Sequence, residues 1–167
     1  MNPGAVGIVP IALEHAAGFH ACLDAVAKEK RYLAQTQALP VARIEGFVRD
    51  SVASDAVQFV ALDGASVVGW ADIFPAWADA VKHVGSLGMG LLEGYRGQGI
   101  GERLLRACLT KAMVKGITRV ELEARADNER AIRLYQRAGF LPEAVKRNAM
   151  RFDGVYYDAV QMSILLA

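Results

Sequence analysis

Residues 91–112 read LLEGYRGQGIGERLLRACLTKA. The second part carries Ile100, Leu104, Leu105, Cys108 and Ala112 at helical spacing, with Glu102, Arg103, Arg106 and Lys111 off that face. This pattern predicts an amphipathic helix that begins just after Gly99 and ends at Gly116. The run before it, VKHVGSLGMGLL, reads as a glycine-rich strand. A strand, a glycine turn and a helix N-terminus in succession favour a bound anion. Glycines let backbone N–H groups approach a ligand without a Cβ in the way. The helix start adds unsatisfied donors and partial positive charge. The same glycines also fit a tight turn into a packed helix.

Two well-known phosphate loops do not fit. The loop of nucleotide hydrolases needs G-x-x-x-x-G-K-[ST]. Gly94 and Gly99 have that spacing, but Ile100 and Gly101 stand where Lys and Ser/Thr are required. The dinucleotide fingerprint needs G-x-G-x-x-G. Gly97, Gly99 and Gly101 give G-x-G-x-G, and the sixth position is Glu102.

Outward from the loop, hydrophobic period sets the elements. AVGIVPIAL reads as a first strand, residues 13–29 as a helix with Phe19, Leu23 and Val26 near one face. A second helix follows Pro40, which suits its first turn. QFVALDGASVVGWADIF reads as two strands joined at Asp63–Gly64. After the central helix come a strand, TRVELEA, and a short helix, NERAIRLYQRAG, with Asn128 as N-cap and Gly139 as C-cap. VKRNAMRF and VYYDAVQMSILL form a terminal hairpin around Asp153–Gly154. The order predicts a mixed α/β sheet with helices on its faces.

Bulk properties narrow the function. The 167 residues suit one domain, and no repeat or linker divides them. Hydrophobic residues make up 53% and charged residues 22%, which argues against disorder. The net charge of +1, without long runs of one sign, points away from nucleic acid and from a membrane as partner. Cys22 and Cys108 form neither a disulfide framework nor a zinc site, and His15, His20 and His83 lack metal-ligand spacing, so no metal is expected. The N-terminus lacks a basic n-region, and no apolar run approaches the ~20 residues that span a bilayer. The expectation is a cytoplasmic protein.

Arg96-x-x-Gly99-x-Gly101 resembles the acetyl-coenzyme A loop of the GNAT acetyltransferase superfamily, whose pattern is [RQ]-x-x-G-x-[GA]. Asn128, Tyr135, Gly139 and Phe140 resemble the family's second signature, an Asn opening a helix that ends in Tyr and then Gly-Phe. The resemblance covers residues 58–140 well, and the last hairpin also looks like the family's. It implies a GNAT acyltransferase fold, α/β (α+β mixed), with a central mixed sheet of about six to seven strands and helices on both faces. It implies one N-acetyltransferase domain over residues 1–167 and acetyl-CoA as co-substrate. Met89, Gly90 and Leu91 would lie along the pantetheine arm. Arg96, Gly97, Gln98, Gly99, Ile100 and Gly101 would meet the pyrophosphate, and Asn128 the coenzyme near the pantetheine. Tyr135 would stand by the thioester sulfur. Asn128 also reads simply as a helix cap, and Tyr135 as a core aromatic. Glu93–Gly94 departs from the proline usual before the arginine.

Proton bookkeeping sharpens these roles. A free thiol has a pKa of about 8.5 and a tyrosine about 10, so full proton transfer from Tyr135 to a thiolate is uphill by ~2 kcal/mol. Tyr135 is therefore expected mainly to hydrogen-bond the departing sulfur. Many members of the family place a base on the coenzyme strand, where this chain has Gly85. His83 points the same way along that strand and could serve instead; Glu123 or water are alternatives. A lysine-type amine is less than ~0.1% neutral at pH 7, but an α-amine is roughly 10% neutral. Weak base machinery therefore favours an α-amine acceptor, as on an amino acid. A protein N-terminus, a lysine, or coenzyme binding without catalysis are the alternatives. By analogy the acceptor pocket holds Tyr32, Phe74, Trp77 and Tyr157, and Arg31 could meet a carboxylate. Family members often pair, so a homodimer is also possible.

Overall fold

The computed structural model describes residues 5–167. Among them, seven strands form one sheet: β1 (Gly7–Pro10), β2 (Val57–Asp63), β3 (Ser66–Pro75), β4 (Val84–Leu91), β5 (Arg119–Arg125), β6 (Leu141–Phe152) and β7 (Val155–Leu165). Their order across the sheet is β1-β2-β3-β4-β5-β7-β6. The helices are α1 (Ala16–Lys28), α2 (Val41–Ala53), α3 (Ile100–Val114) and α4 (Glu129–Ala138). The order and class are those that hydrophobic period predicts, with a 3-10 turn at Leu13–His15 opening the first helical stretch.

The sheet has two apolar faces, as alternation of side chains along each strand requires. One face packs Val57, Ala61, Ala71, Ile73, Val120 and Met162 against the apolar stripe of α3, including Ile100, Leu104 and Cys108. The opposite face packs Val60 and Trp70 against Phe19, Cys22 and Leu23 of α1 and Ile44 and Val48 of α2. Trp70 meets the edge of Phe19 at 5.8 Å between ring centroids, and Phe74 meets Phe47 at 5.4 Å.

The predicted local stops are present. Gly64, Gly116, Gly139 and Gly154 follow their elements at positive φ. Asn128 caps α4, its side-chain oxygen accepting from the Ala131 N–H at 3.4 Å.

The feature that positions the site lies between β4 and β5, which run parallel. Their pairing covers only Val84–Arg119, Gly85–Val120 and Ser86–Glu121. Beyond Ser86, β4 stays paired to β3 through Leu91, and β5 stays paired to β7 through Arg125. The two strands therefore diverge and leave a cleft, with each wall held by its outer neighbour.

Candidate active site

The cleft has a volume of about 660 Å³. Met89, Gly90 and Leu91 form one wall; Glu123, Ala124 and Arg125 form the other. The Leu92 N–H donates to the Val68 carbonyl at 2.9 Å, so Leu92 faces β3. Strand alternation then turns the amide groups of Leu91 and Met89 toward the cleft. An extended amide-bearing chain laid in the gap would find donors and acceptors there.

At the mouth of the cleft the glycine loop meets α3. Gly97 and Gly99 adopt φ of +73° and +83°, a conformation that side chains disfavour. A Cβ on Gly99 would meet nothing within 4 Å, so the glycine there serves backbone shape and open approach rather than packing. Gly97, Gly99 and Gly101 all line the cleft, as do Asn128 and Tyr135. The first N–H groups of a helix have no intrahelical acceptor. The loop and the α3 start together turn backbone donors toward the cleft.

Arg96 lines the cleft, and its guanidinium is engaged by neighbouring groups. Its Nε and Nη2 donate to the Leu91 carbonyl at 3.0 and 2.7 Å, and Nη1 donates to Glu29 Oε1 at 3.0 Å. Its guanidinium also lies over the Tyr32 ring, 4.5 Å from the centroid. The arginine thus ties the loop to the end of α1. Arg130, Arg133 and Arg137 of α4 add positive charge to the same cleft. The Arg130 guanidinium carbon lies 3.9 Å from the point a Cβ on Gly97 would occupy. Their spacing of three and four residues along α4 is legible in the sequence as a shared helix face.

Gln98 and Ile100 are not among the side chains that line the cleft. Gln98 Nε2 bonds the Gly94 carbonyl at 3.0 Å, and Ile100 is buried in the core. Only their backbone is available to a ligand. Tyr135 is buried against Phe140, with ring centroids 5.8 Å apart, yet it borders the cleft. No hydrogen bond to its hydroxyl is found among the described residues. Burial pushes its phenol up to about 12.

The residues expected around the acceptor divide. Tyr32 and Arg31 line the cleft. Tyr157 stands just behind it, with the Arg125 guanidinium 3.8 Å from its ring centroid. Arg125 is buried, and its Nε donates to Asp127 Oδ1 at 2.6 Å and its Nη1 to the Lys30 carbonyl at 3.3 Å. Phe74 and His83 instead line a separate hollow with Phe47, on the other side of β4's start. The strand begins only at Val84, so His83 sits at its entrance, far along the chain from Met89–Leu91. Trp77 is 94% exposed in the loop after β3. The geometry thus does not gather His83, Phe74 and Trp77 with Tyr135. At Gly85 a Cβ would come within 2.4 Å of Ile73 Cγ2, because core packing fills the place a side chain would need. Glu123 does line the cleft, with Oε1 2.6 Å from Lys146 Nζ. Among the described residues no group of three or more His, Cys, Asp or Glu is placed to hold a metal ion.

A coenzyme A thioester fits this donor set: an amide-lined gap for its arm, and a glycine cradle flanked by arginines for its phosphates. The sequence is 46% identical over 52 residues to a mycothiol acetyltransferase of Corynebacterium aurimucosum, covering 31% of this chain and 17% of that protein. It is 41% identical over 66 residues to the N-alpha-acetyltransferase RimI of Mycobacterium tuberculosis, covering 40% of each. The chain thus spans well under half the length of these curated relatives. The fold matches that of a GNAT superfamily phosphinothricin acetyltransferase from Sinorhizobium meliloti, solved in complex with acetyl-CoA. That match has a TM-score of 0.90 at 16% identity, covering 98% of this chain and 89% of that one. The model of the acetyltransferase (GNAT) family matches residues 17–140, and the chain belongs to that family.

Proposed function

We propose that this protein transfers the acetyl group of acetyl-CoA to the α-amino group of a small molecule such as an amino acid, as a single domain and by direct attack with both substrates bound. The observation that carries the reading is the β4–β5 cleft, which is lined by the glycine loop at the start of α3 and by Tyr135. Acetyl-CoA supplies an activated thioester. Met89 and Leu91 bind its arm through their backbone, Gly97 to Gly101 receive its pyrophosphate, and Arg130 contributes the positive charge beside them.

Tyr135 holds its proton. With burial raising the phenol to about 12, complete transfer to a thiolate of pKa about 8.5 is uphill by roughly 3.5 units. Its role is to donate a hydrogen bond to the departing sulfur. Asn128 fixes the start of α4, and with it the placement of Tyr135 two turns on.

The α-amine follows from the cost of deprotonation, which is several kcal/mol smaller than for a lysine. Arg31 at the cleft suits a carboxylate on the same acceptor. A second reading, the N-terminal amine of a protein, draws on the likeness to RimI. Thiol release from acetyl-CoA, measured across amino acids, peptides, polyamines and aminoglycosides, tests the proposal. Release is expected with α-amines. Turnover of polyamines or aminoglycosides alone contradicts it, and binding without amine-dependent release would mark a non-catalytic module.

A further inference from the structure

In the middle of the sheet, three residues stand side by side on neighbouring strands. Gln58 of β2 pairs with Asp72 of β3, and Asp72 pairs with Gly88 of β4. Trp70 and Phe74 flank Asp72 at alternate positions and pack against Phe19 of α1 and Phe47 of α2. Asp72 therefore shares their face, toward α1 and α2. Tyr135 belongs to the opposite face, packed with the α3 cluster.

This polar pair is unsatisfied. Gln58 is fully buried, and neither its amide nitrogen nor its amide oxygen has a hydrogen-bond partner. Asp72 is half-buried, and no hydrogen bond or ion pair to its carboxyl is found among the described residues. Buried polar groups left without partners destabilise a fold by about 1–3 kcal/mol each. Such groups in a native fold call for an explanation, a catalytic role or a bound water, ion or ligand among them.

The carboxyl is also aimed. A Cβ on Gly88 would lie 3.2 Å from Asp72 Oδ1, so the oxygen reaches over a residue with no side chain. Gly88 lies on β4 just past Ser86, where pairing with β5 ends. The carboxyl thus overhangs the strand that walls the cleft, on the face away from Tyr135. Other carboxylates on this side already have cations: Glu123 is bound to Lys146, Glu121 to Arg119 and Glu29 to Arg96.

We propose that Asp72, with Gln58 beside it, receives the ammonium of the acceptor and takes its proton. The inference rests on the acetyl-transfer reading above. Asp72 accepts one proton from the ammonium and leaves a neutral amine. Nitrogen then bonds to the acetyl carbon, the carbon–sulfur bond breaks, and its electron pair goes to sulfur. The second proton leaves nitrogen and ends on sulfur as the free thiol, while the first passes from Asp72 to solvent. Burial raises the Asp72 carboxyl to about 7, close to the ~7.8 of an α-amine and so matched to exchanging this proton.

The test compares two probe acceptors of one shape, alanine amide and 3,3,3-trifluoroalanine amide. Fluorine lowers the basicity of the second, which is already neutral at pH 7. Asp72→Asn is expected to lower kcat/KM for alanine amide by about tenfold, because an α-amine is about 10% neutral at pH 7. The loss should fall below about twofold for the fluorinated probe, with acetyl-CoA affinity by calorimetry within about twofold of wild type. That last value also shows that the variant is folded. Equal losses on the two probes, or no loss on either, overturn the proton-accepting role. Wild-type protein that acetylates no α-amine would instead remove the reading on which the role rests.

Discussion

The α3–α4 side of the cleft is built largely from backbone. Gly97 and Gly99 shape it, the α3 N-terminus lends it partial positive charge, and Arg130, Arg133 and Arg137 line it from α4. The α1–α2 side is built from side chains that meet across long stretches of sequence. Arg96 reaches Glu29, Arg125 reaches the Lys30 carbonyl, and Asp72 lies opposite Gln58. A donor shared by many acetyltransferases can be held by a local, repeatable backbone motif. An acceptor particular to one protein needs contacts set by tertiary structure.

The largest expected effect sharpens this contrast by asking what the acceptor side costs. The Asp72 carboxyl is raised from 3.8 to about 7 in the folded protein. Between those values the folded state keeps a proton that the unfolded state has lost. Stability attributable to Asp72 therefore falls as pH rises from about 4 to above 7. Asp72→Asn removes this penalty. Chemical denaturation should show the variant more stable than wild type by about 2–4 kcal/mol at pH 8, with the gap closing near pH 4. A variant less stable at pH 8 would mean that the carboxyl is structurally satisfied.

Arg96→Ala tests whether the loop arginine is a strut. Breaking its contacts to Glu29 and the Leu91 carbonyl should cost about 2–3 kcal/mol of folding stability. Tyr135→Phe belongs to the donor side. It should lower kcat by about 30-fold while acetyl-CoA affinity stays within about twofold, because one hydrogen bond to a charged group is worth roughly 2 kcal/mol. Unchanged kcat would remove Tyr135 from the chemistry. Arg130→Ala should be the mildest, weakening acetyl-CoA binding by about fivefold at low salt and less at high salt. A loss that persists at high salt would point to packing rather than charge.

The same division decides what could be read in the sequence. Helix caps, hairpin turns and the glycine loop are local, so Asn128, Gly139 and RGQGIG announced the fold and the coenzyme side. The cleft itself depends on pairing that stops at Ser86–Glu121, which no residue type marks. Arg96 looked like an anion ligand because its partner Glu29 is distant in sequence. His83 looked usable because alternation places it on a strand, yet the strand begins only after it. Asp72 was hidden in the apolar run VVGWADIF, where period suggested a buried strand and nothing more. A lone carboxylate inside such a run was the available signal. Its meaning depends on Gln58 and Gly88, which only sheet register brings alongside.

Hydrogen–deuterium exchange with and without acetyl-CoA tests the central claim most directly, since it asks where the coenzyme lies. Protection is expected in residues 87–103 and 128–135, the β4 wall with the glycine loop and α4. Residues 47–54 and 74–76, around the second hollow, should exchange unchanged. Protection confined to that hollow, or none along β4 at saturating acetyl-CoA, would contradict the account.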